Sequence, residues 1–271
     1  MSPAGPARAP PRRKRFGQHF LHDPAVIERI VRALGPRPGD HLVEIGPGRG
    51  ALTSHLLACS ECTLDAIEID RALAAQLRER FGGSARAVVH EHDALEFDFS
   101  ALARSRGGRL RIVGNLPYNI STPLLFHLLD ESEAIADLTV MLQREVVARL
   151  AAAPGSADYG RLTVMLAPQV QVEWLFDVGP GAFQPPPRVW SAVVRLTLRP
   201  QPLFAVSLRY GEVVAAAFSQ RRKTLRNALS QLLTREEIAA CGVDPGARPE
   251  TLAPAAFNAL ALTLDRKRGG R

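Results

Sequence analysis

The sequence predicts an α/β protein with an open, mostly parallel sheet covered on both faces, followed by a small helical unit at the C-terminal end. Three observations carry this reading. Between Asp23 and Gln143, short apolar runs of strand length alternate with segments whose apolar residues recur at helical spacing. The first strand-to-helix junction is a glycine turn, Gly46-Pro47-Gly48-Arg49-Gly50. Beyond Arg199-Pro200-Gln201-Pro202 the apolar pattern is helical throughout. The composition agrees: 271 residues, 46% hydrophobic and 23% charged, suit a packed core and exclude wholesale disorder or a collagen-like repeat.

Residues 1–15 hold Arg8, Arg12, Arg13, Lys14 and Arg15, four prolines and no acid, and are expected to form a disordered basic arm. From Asp23-Pro24, an N-cap followed by proline at the first helical position, Val26, Ile27, Ile30, Val31 and Leu34 predict a helix that stops near Gly35-Pro36. His41–Ile45 reads as a strand, and Leu52, Leu56 and Leu57 as the helix after the glycine turn. Strands are expected at 63–69 and 85–90, with a helix carrying Leu73 and Leu77 between them. Leu110–Val113 is a fourth strand, ending at Gly114-Asn115-Leu116-Pro117-Tyr118; 123–129 is a helix and 138–143 another strand. After a proline- and glycine-rich stretch at 179–188, alternation over 191–198 predicts a late strand. Segments 211–233, 235–241 and 253–264 are expected to be helical, which sets domains of about 16–200 and 201–271.

Ligands of such sheets bind beyond the carboxyl ends of the strands, so the residues at those ends matter most. Gly46, Gly48 and Ala51 satisfy a loose dinucleotide pattern, with Glu68 placed to hydrogen-bond a ribose. Glu44 and Asp93 add two more carboxylates on the same rim. Three carboxylates repel a pyrophosphate and favour a cationic ligand, which points to S-adenosylmethionine with its sulfonium and amino groups. A nicotinamide dehydrogenase shares the glycine turn and remains the alternative on that motif alone.

Asn115-Leu116-Pro117-Tyr118 would lie on the same rim. The exocyclic amine of adenine is a poor nucleophile because its lone pair is delocalised into the ring, and two hydrogen-bond acceptors would draw it toward tetrahedral geometry. The Asn115 side-chain oxygen and the carbonyl of Leu116 or Pro117 can accept both amino hydrogens, and Tyr118 can stack on a base taken out of its helix. The same tetrapeptide also suits an ordinary turn anchored by a tyrosine.

These motifs, with Arg15-Phe16-Gly17-Gln18-His19-Phe20-Leu21, Glu68-Ile69-Asp70, His92-Asp93-Ala94, Gln143-Arg144-Glu145-Val146, Tyr159-Gly160-Arg161-Leu162, the run from Phe183 to Val189 and that from Phe218 to Arg226, resemble the ribosomal RNA adenine dimethyltransferases. The resemblance covers nearly the whole chain after the arm. It implies a Rossmann-like S-adenosylmethionine methyltransferase sheet and dimethylation of two adjacent adenosines in small-subunit ribosomal RNA, within an immature subunit, by a cytoplasmic monomer. It also implies that His19 and Leu21 flank the cofactor, that Gly46 lies under its methionine part, that Glu68 binds its ribose and Asp93 its adenine amine. Asn115 would bridge to the reacting nitrogen, and Phe183 would cover the face of the target adenine opposite Tyr118. The family pattern has asparagine where this chain has His19, so the contact there would come from a ring nitrogen.

Arg221, Arg222, Lys223 and Arg226 form a basic cluster, with Arg222 and Arg226 expected on one helical face and in contact with RNA phosphates; Arg266-Lys267-Arg268 would add to it. The net charge of +7 is compatible with a polyanionic partner. Cys59 and Cys62 lack a second pair and His90-Glu91-His92 lacks a further ligand, so no metal is expected and the histidines read as solvated strand-end residues. Three cysteines in all fit a reducing compartment, and no apolar run is long enough to suggest a membrane span. A DNA adenine methyltransferase and a non-catalytic RNA-binding assembly factor remain alternatives.

Overall fold

The computed structural model describes residues 19–58, 61–220 and 222–269. The chain runs β1 (Phe20–Leu21), α1 (Pro24–Leu34), β2 (His41–Ile45), α2 (Ala51–Ala58), β3 (Thr63–Glu68), α3 (Arg71–Phe81), β4 (Ala87–Glu91), α4 (Phe99–Arg106), β5 (Leu110–Asn115), α5 (Ser121–Asp130) and β6 (Ile135–Gln143). It continues through α6 (Arg144–Leu150), α7 (Arg161–Leu166), β7 (Val170–Val178), β8 (Phe183–Gln184), β9 (Ser191–Leu198), α8 (Tyr210–Ala217), α9 (Leu225–Ala228), α10 (Arg235–Ala240) and α11 (Pro254–Gly269).

Local chemistry sets these boundaries. Asp23 caps α1 by accepting from the amides of Ala25 and Val26, and Gly35, at φ 56°, ends it in the left-handed region that glycine adopts without penalty. Asp70 caps α3 in the same way. The seven-stranded sheet has the order β4-β3-β2-β5-β6-β9-β7. β4 to β6 are parallel, and β9 runs antiparallel between β6 and β7. Successive strand residues feed opposite cores: Leu42, Val113, Met141 and Val193 pack with α1 and α2, whereas Val43, Ile112, Val140 and Val194 pack with α5 and α6. A third apolar cluster joins α8 to α11 and takes in Tyr159 and Val164.

From β2 the chain moves outward to β3 and β4, then returns to place β5 on the other side of β2. The order therefore reverses between β2 and β5, and the crevice at their carboxyl ends is where an open α/β sheet takes its ligand.

Several elements differ from expectation. β5 runs two residues further than its apolar run, through Gly114 and Asn115, because parallel pairing with Val140 and Met141 of β6 continues. The sequence reading places no elements at α4, α6, α7, β7 or the β1–β8 pair, all of which form. The expected helix over 211–233 is broken: α8 ends at Ala217, Arg222 stands at φ 72°, and α9 begins only at Leu225. The amides of Leu225 and Arg226, which a continuous helix would bond internally, instead donate to the carbonyls of Ala247 and Pro245. Arg222 and Arg226 therefore do not share a helical face, and Arg222, Lys223 and Arg226 are exposed on a turn and the short helix after it. Arg221, Cys59 and the 1–15 arm lie outside the described residues.

The tail cations are engaged within the chain: Lys267 pairs with Glu237 at 2.9 Å and Arg268 with Glu212 at 3.0 Å. His90 is not a free strand-end residue either. Its Nε2 lies 2.7 Å from Asp65, a fully buried carboxylate that Arg106 also holds. Burial pushes the Asp65 carboxyl up, but the hydrogen bonds from His90 and Arg106 outweigh it and hold the group below its usual range.

Candidate active site

At the reversal point the carboxyl ends of β2, β3 and β5 and the segment around β1 enclose a cavity, lined among others by His19, Leu21, Gly46, Glu68, Asp93 and Asn115. All the residues expected to hold the cofactor thus meet at one place. The glycine turn leaves β2 with Gly46 at φ 68°, Gly48 at φ 57° and Gly50 at φ 77°. A side chain on Gly48 would meet the Phe20 ring at 2.9 Å, so the turn must be glycine for β1 to close over it.

Glu68, at the end of β3 and 4% exposed, accepts from the amide of Gly48 at 3.1 Å and from that of Asp70 at 2.9 Å. It therefore shapes the turn and begins α3 while keeping lone pairs for a ligand hydroxyl. Burial raises its pKa, partly offset by the Asp70 and Gly48 amides. Glu44 is more extreme. It is 2% exposed and accepts from the Thr53 hydroxyl at 2.6 Å. Burial, reinforced by the charge of Glu68, pushes it up to about 7 against the pull of Thr53. Asp93 uses one oxygen to accept from the Leu95 amide at 2.9 Å.

These groups fit a cationic nucleoside cofactor. The donor set is three carboxylates with no lysine, beside apolar surface that includes Ile69, which is 46% exposed at the rim. Arg49, which also lines the cavity, lies over the Phe20 ring at 4.6 Å, and the carboxylates offer acceptors to ribose hydroxyls and an amino group and an attractive field to a sulfonium.

The Asn115-Leu116-Pro117-Tyr118 loop also lines the cavity. The Nδ2 of Asn115 donates to the carbonyl of His19 at 3.0 Å, and because a carbonyl can only accept, the amide must present its nitrogen there and its oxygen elsewhere. Leu116 spends its amide on the Met141 carbonyl, fixing the loop to β6. Tyr118 lines the cavity, and its hydroxyl is 2.7 Å from that of Ser191, the fully buried first residue of β9. Burial raises the tyrosine's pKa, against the lowering effect of Ser191. His19 turns its Nδ1 to the Pro185 carbonyl at 2.8 Å, so that nitrogen is a donor already used and Nε2 is left for a ligand.

Phe183 differs from expectation. It is 2% exposed, pairs with Leu21 across the β1–β8 ladder and packs in the α1–α2 core, away from the cavity lining. The strand-pairing of β8 turns this ring inward, so it does not form the second wall of an aromatic clamp here. Sequence reasoning missed Thr53, Ser191 and Ile69 as parts of the site. Nothing in the spacing links Thr53 to Glu44 or Ser191 to Tyr118; both pairs exist only once the sheet is assembled. Among the described residues no cluster of His, Cys, Asp or Glu is arranged to hold a metal ion, and no helix is long and apolar enough to cross a membrane.

Residues 11–266 match the sequence model of the family described as ribosomal RNA adenine dimethylase. The chain belongs to that family. It is 55% identical over 262 residues to the ribosomal RNA small subunit methyltransferase A of Pseudomonas aeruginosa, covering 96% of this chain and 97% of that protein. The corresponding protein of Nitrosococcus oceani is 56% identical, with 93% and 94% covered. Among solved structures, the 23S rRNA methyltransferase ErmE is 30% identical with a TM-score of 0.69, over 91% of this chain and 99% of that one. A dimethyladenosine transferase from Plasmodium falciparum shares the fold at a TM-score of 0.76 and 24% identity, over 93% and 98% of the two chains. The sheet described above is thus the Rossmann-like methyltransferase fold of an enzyme family.

Proposed function

We propose that the protein dimethylates the exocyclic amino groups of two adjacent adenosines in small-subunit ribosomal RNA, with S-adenosylmethionine as methyl donor and an immature small subunit as the substrate particle. The observation that carries this reading is the orientation of Asn115. Its amide nitrogen is held by His19, so its oxygen is the end available to accept from a base amine, on the rim that also carries Glu68 and Asp93. Bound S-adenosylmethionine supplies an activated methyl group on a sulfonium.

The chain's residues position and desolvate. Glu68 would hold the ribose hydroxyls and Asp93 the adenine amine, while His19 and Leu21 flank the cofactor and Gly46 lets the backbone pass beneath its methionine part. Asn115 Oδ1 and a carbonyl of Leu116 or Pro117 would accept the two amino hydrogens of the target, bringing its nitrogen lone pair in line with the methyl. Tyr118, steadied by Ser191, would stack on the base. The resulting ammonium can lose its proton to water, so no residue is required as nucleophile or general base. Residues 16–200 would form the transferase unit and 201–271 the helical unit that meets RNA through Arg221, Arg222, Lys223 and Arg226. We place the reaction in the cytoplasm, carried out by a monomer.

The test is transfer of labelled methyl from S-adenosylmethionine to small subunits isolated before modification, followed by nucleoside analysis. Dimethyladenosine at adjacent positions is expected. Binding of both cofactor and particle with no transfer, under conditions where a control enzyme is active, would favour an assembly factor instead.

A further inference from the structure

The chain has two tryptophans, and the structure brings both, Trp174 of β7 and Trp190 just before β9, to one recess with Gln143, Arg144 and Asp158. Trp190 is 55% exposed. An indole left in water forgoes the stabilisation that burial of so large an apolar surface normally brings, so its place in a concave surface invites a ligand. The ring is not loose. It lies over the backbone at Gly179, where a side chain would meet it at 3.6 Å, and the Trp190 carbonyl accepts from the Arg144 amide at 2.9 Å. The Arg144 guanidinium in turn sits over the Trp174 ring at 5.5 Å.

The recess adjoins the site along the chain on both sides. Trp190 is followed by Ser191, whose hydroxyl holds Tyr118 in the cavity wall. Asp158 is followed by Tyr159, which belongs to the apolar cluster of the C-terminal helices. The recess is thus tied through the chain both to the cavity wall and to the helical unit that bears the exposed cations. Its charge decides what it can hold. Arg144 is matched by Asp177 at 2.9 Å and Glu145 by Arg149, and Asp158 adds a further carboxylate. The recess therefore has no excess positive charge to hold a phosphate, whereas the neutral face of a nucleobase stacks on indole and its amino edge can donate to a carboxylate.

We propose that Trp190, backed by Trp174 and Arg144, is a stacking platform for an unpaired nucleotide of the substrate RNA next to the target adenosine. This rests on RNA being the substrate. Stacking a neighbour here would hold the strand open and present the target base toward Tyr118.

Two measurements test it. In a Trp174→Phe variant Trp190 is the sole indole, so its fluorescence is titrated with hexaadenylate RNA and with an abasic hexamer of the same backbone. Quenching by the first and little by the second is expected; equal quenching by both, or by neither, overturns the platform. Methyl transfer to immature small subunits is then measured for Trp190→Ala and Trp190→Phe. Removing one base stack should raise KM for the particle roughly 5- to 150-fold, with kcat and cofactor affinity kept, and phenylalanine should restore most of the loss. An unchanged KM for Trp190→Ala overturns the proposal. So does a loss of particle affinity with affinity for protein-free rRNA intact, which would assign the recess to a ribosomal protein. If the wild-type chain transfers no methyl at all, the proposed function fails, while the hexaadenylate titration still decides the platform.

Discussion

Gly114 sits where β5 meets β2 at the reversal point, and replacing it with alanine tests whether catalysis depends on the spacing of those two strands. An added Cβ would lie 2.3 Å from the carbonyl oxygen of Ile45, and that neighbour is main chain, which has no rotamer to change. Reaching even 3.0 Å, below which real Cβ contacts are essentially absent, needs the strand ends to separate by about 0.7 Å. Overpacking of this kind costs about 1–3 kcal/mol, which for a chain of this size lowers Tm by roughly 2–12 °C. The next residue is Asn115, so the shift passes directly to the group proposed to align the target nitrogen. Misplacement approaching 1 Å costs on the order of 100-fold in rate. Gly114→Ala should therefore lose kcat far more than cofactor affinity, measured by single-turnover methyl transfer beside calorimetric titration of S-adenosylmethionine. Wild-type kcat together with wild-type Tm would refute the argument.

Asn115→Ala should abolish turnover while cofactor affinity stays nearly intact; equal loss of both in the same two assays would remove its role at the amine. Glu68→Ala should weaken cofactor binding first, because the residue both lines the cavity and holds the Gly48 amide, and an unchanged Kd would remove its proposed ribose role. Glu44 has a folded-state pKa raised from 4.5 to about 7 by burial, so its proton favours the folded state. Its contribution is fully present below pH 4.5 and is lost as pH rises through about 7, a difference on the order of 3 kcal/mol. Glu44→Gln should therefore gain stability over wild type progressively across that window in denaturant melts, and a difference independent of pH would contradict the assignment. Ser191→Ala should cost about 1–2 kcal/mol by leaving the Tyr118 hydroxyl unpartnered, and adding Tyr118→Phe should cost little more; fully additive losses would show that the two hydroxyls do not act together.

Much of the fold could be read from local pattern, and the failures have physical reasons. The parallel strands announced themselves because β2, β3 and β5 are buried largely on both faces and read as short, mainly apolar runs in spite of Glu44, Asp65 and Arg111. β7, at the sheet edge and largely half-exposed, carries Gln171, Glu173 and Asp177 among its apolar residues and gave a weaker signal. The break at Arg222 was hidden because the chain there is bonded to the 244–247 loop, a contact that helical spacing cannot reveal. In the site, Glu68, Asp93 and Asn115 were legible from their positions at strand ends, whereas His19 and Leu21 came only from the family resemblance. The place of Phe183 was not legible, because a two-residue strand pairing with β1 decides where its ring points. Thr53 and Ser191 act through partners distant in sequence, and Trp190 gains its meaning only from what the sheet sets beside it.

The β1–β8 ladder has a thermodynamic corollary. His19 stands at its edge, anchored to Pro185, lining the cofactor cavity and holding the amide that would receive the base. On the proposed roles, donor and acceptor sites share this strut, so that a displacement of it by one occupant would reach the other. Such coupling is reciprocal by linkage: whatever factor bound RNA applies to cofactor affinity, bound cofactor must apply to RNA affinity.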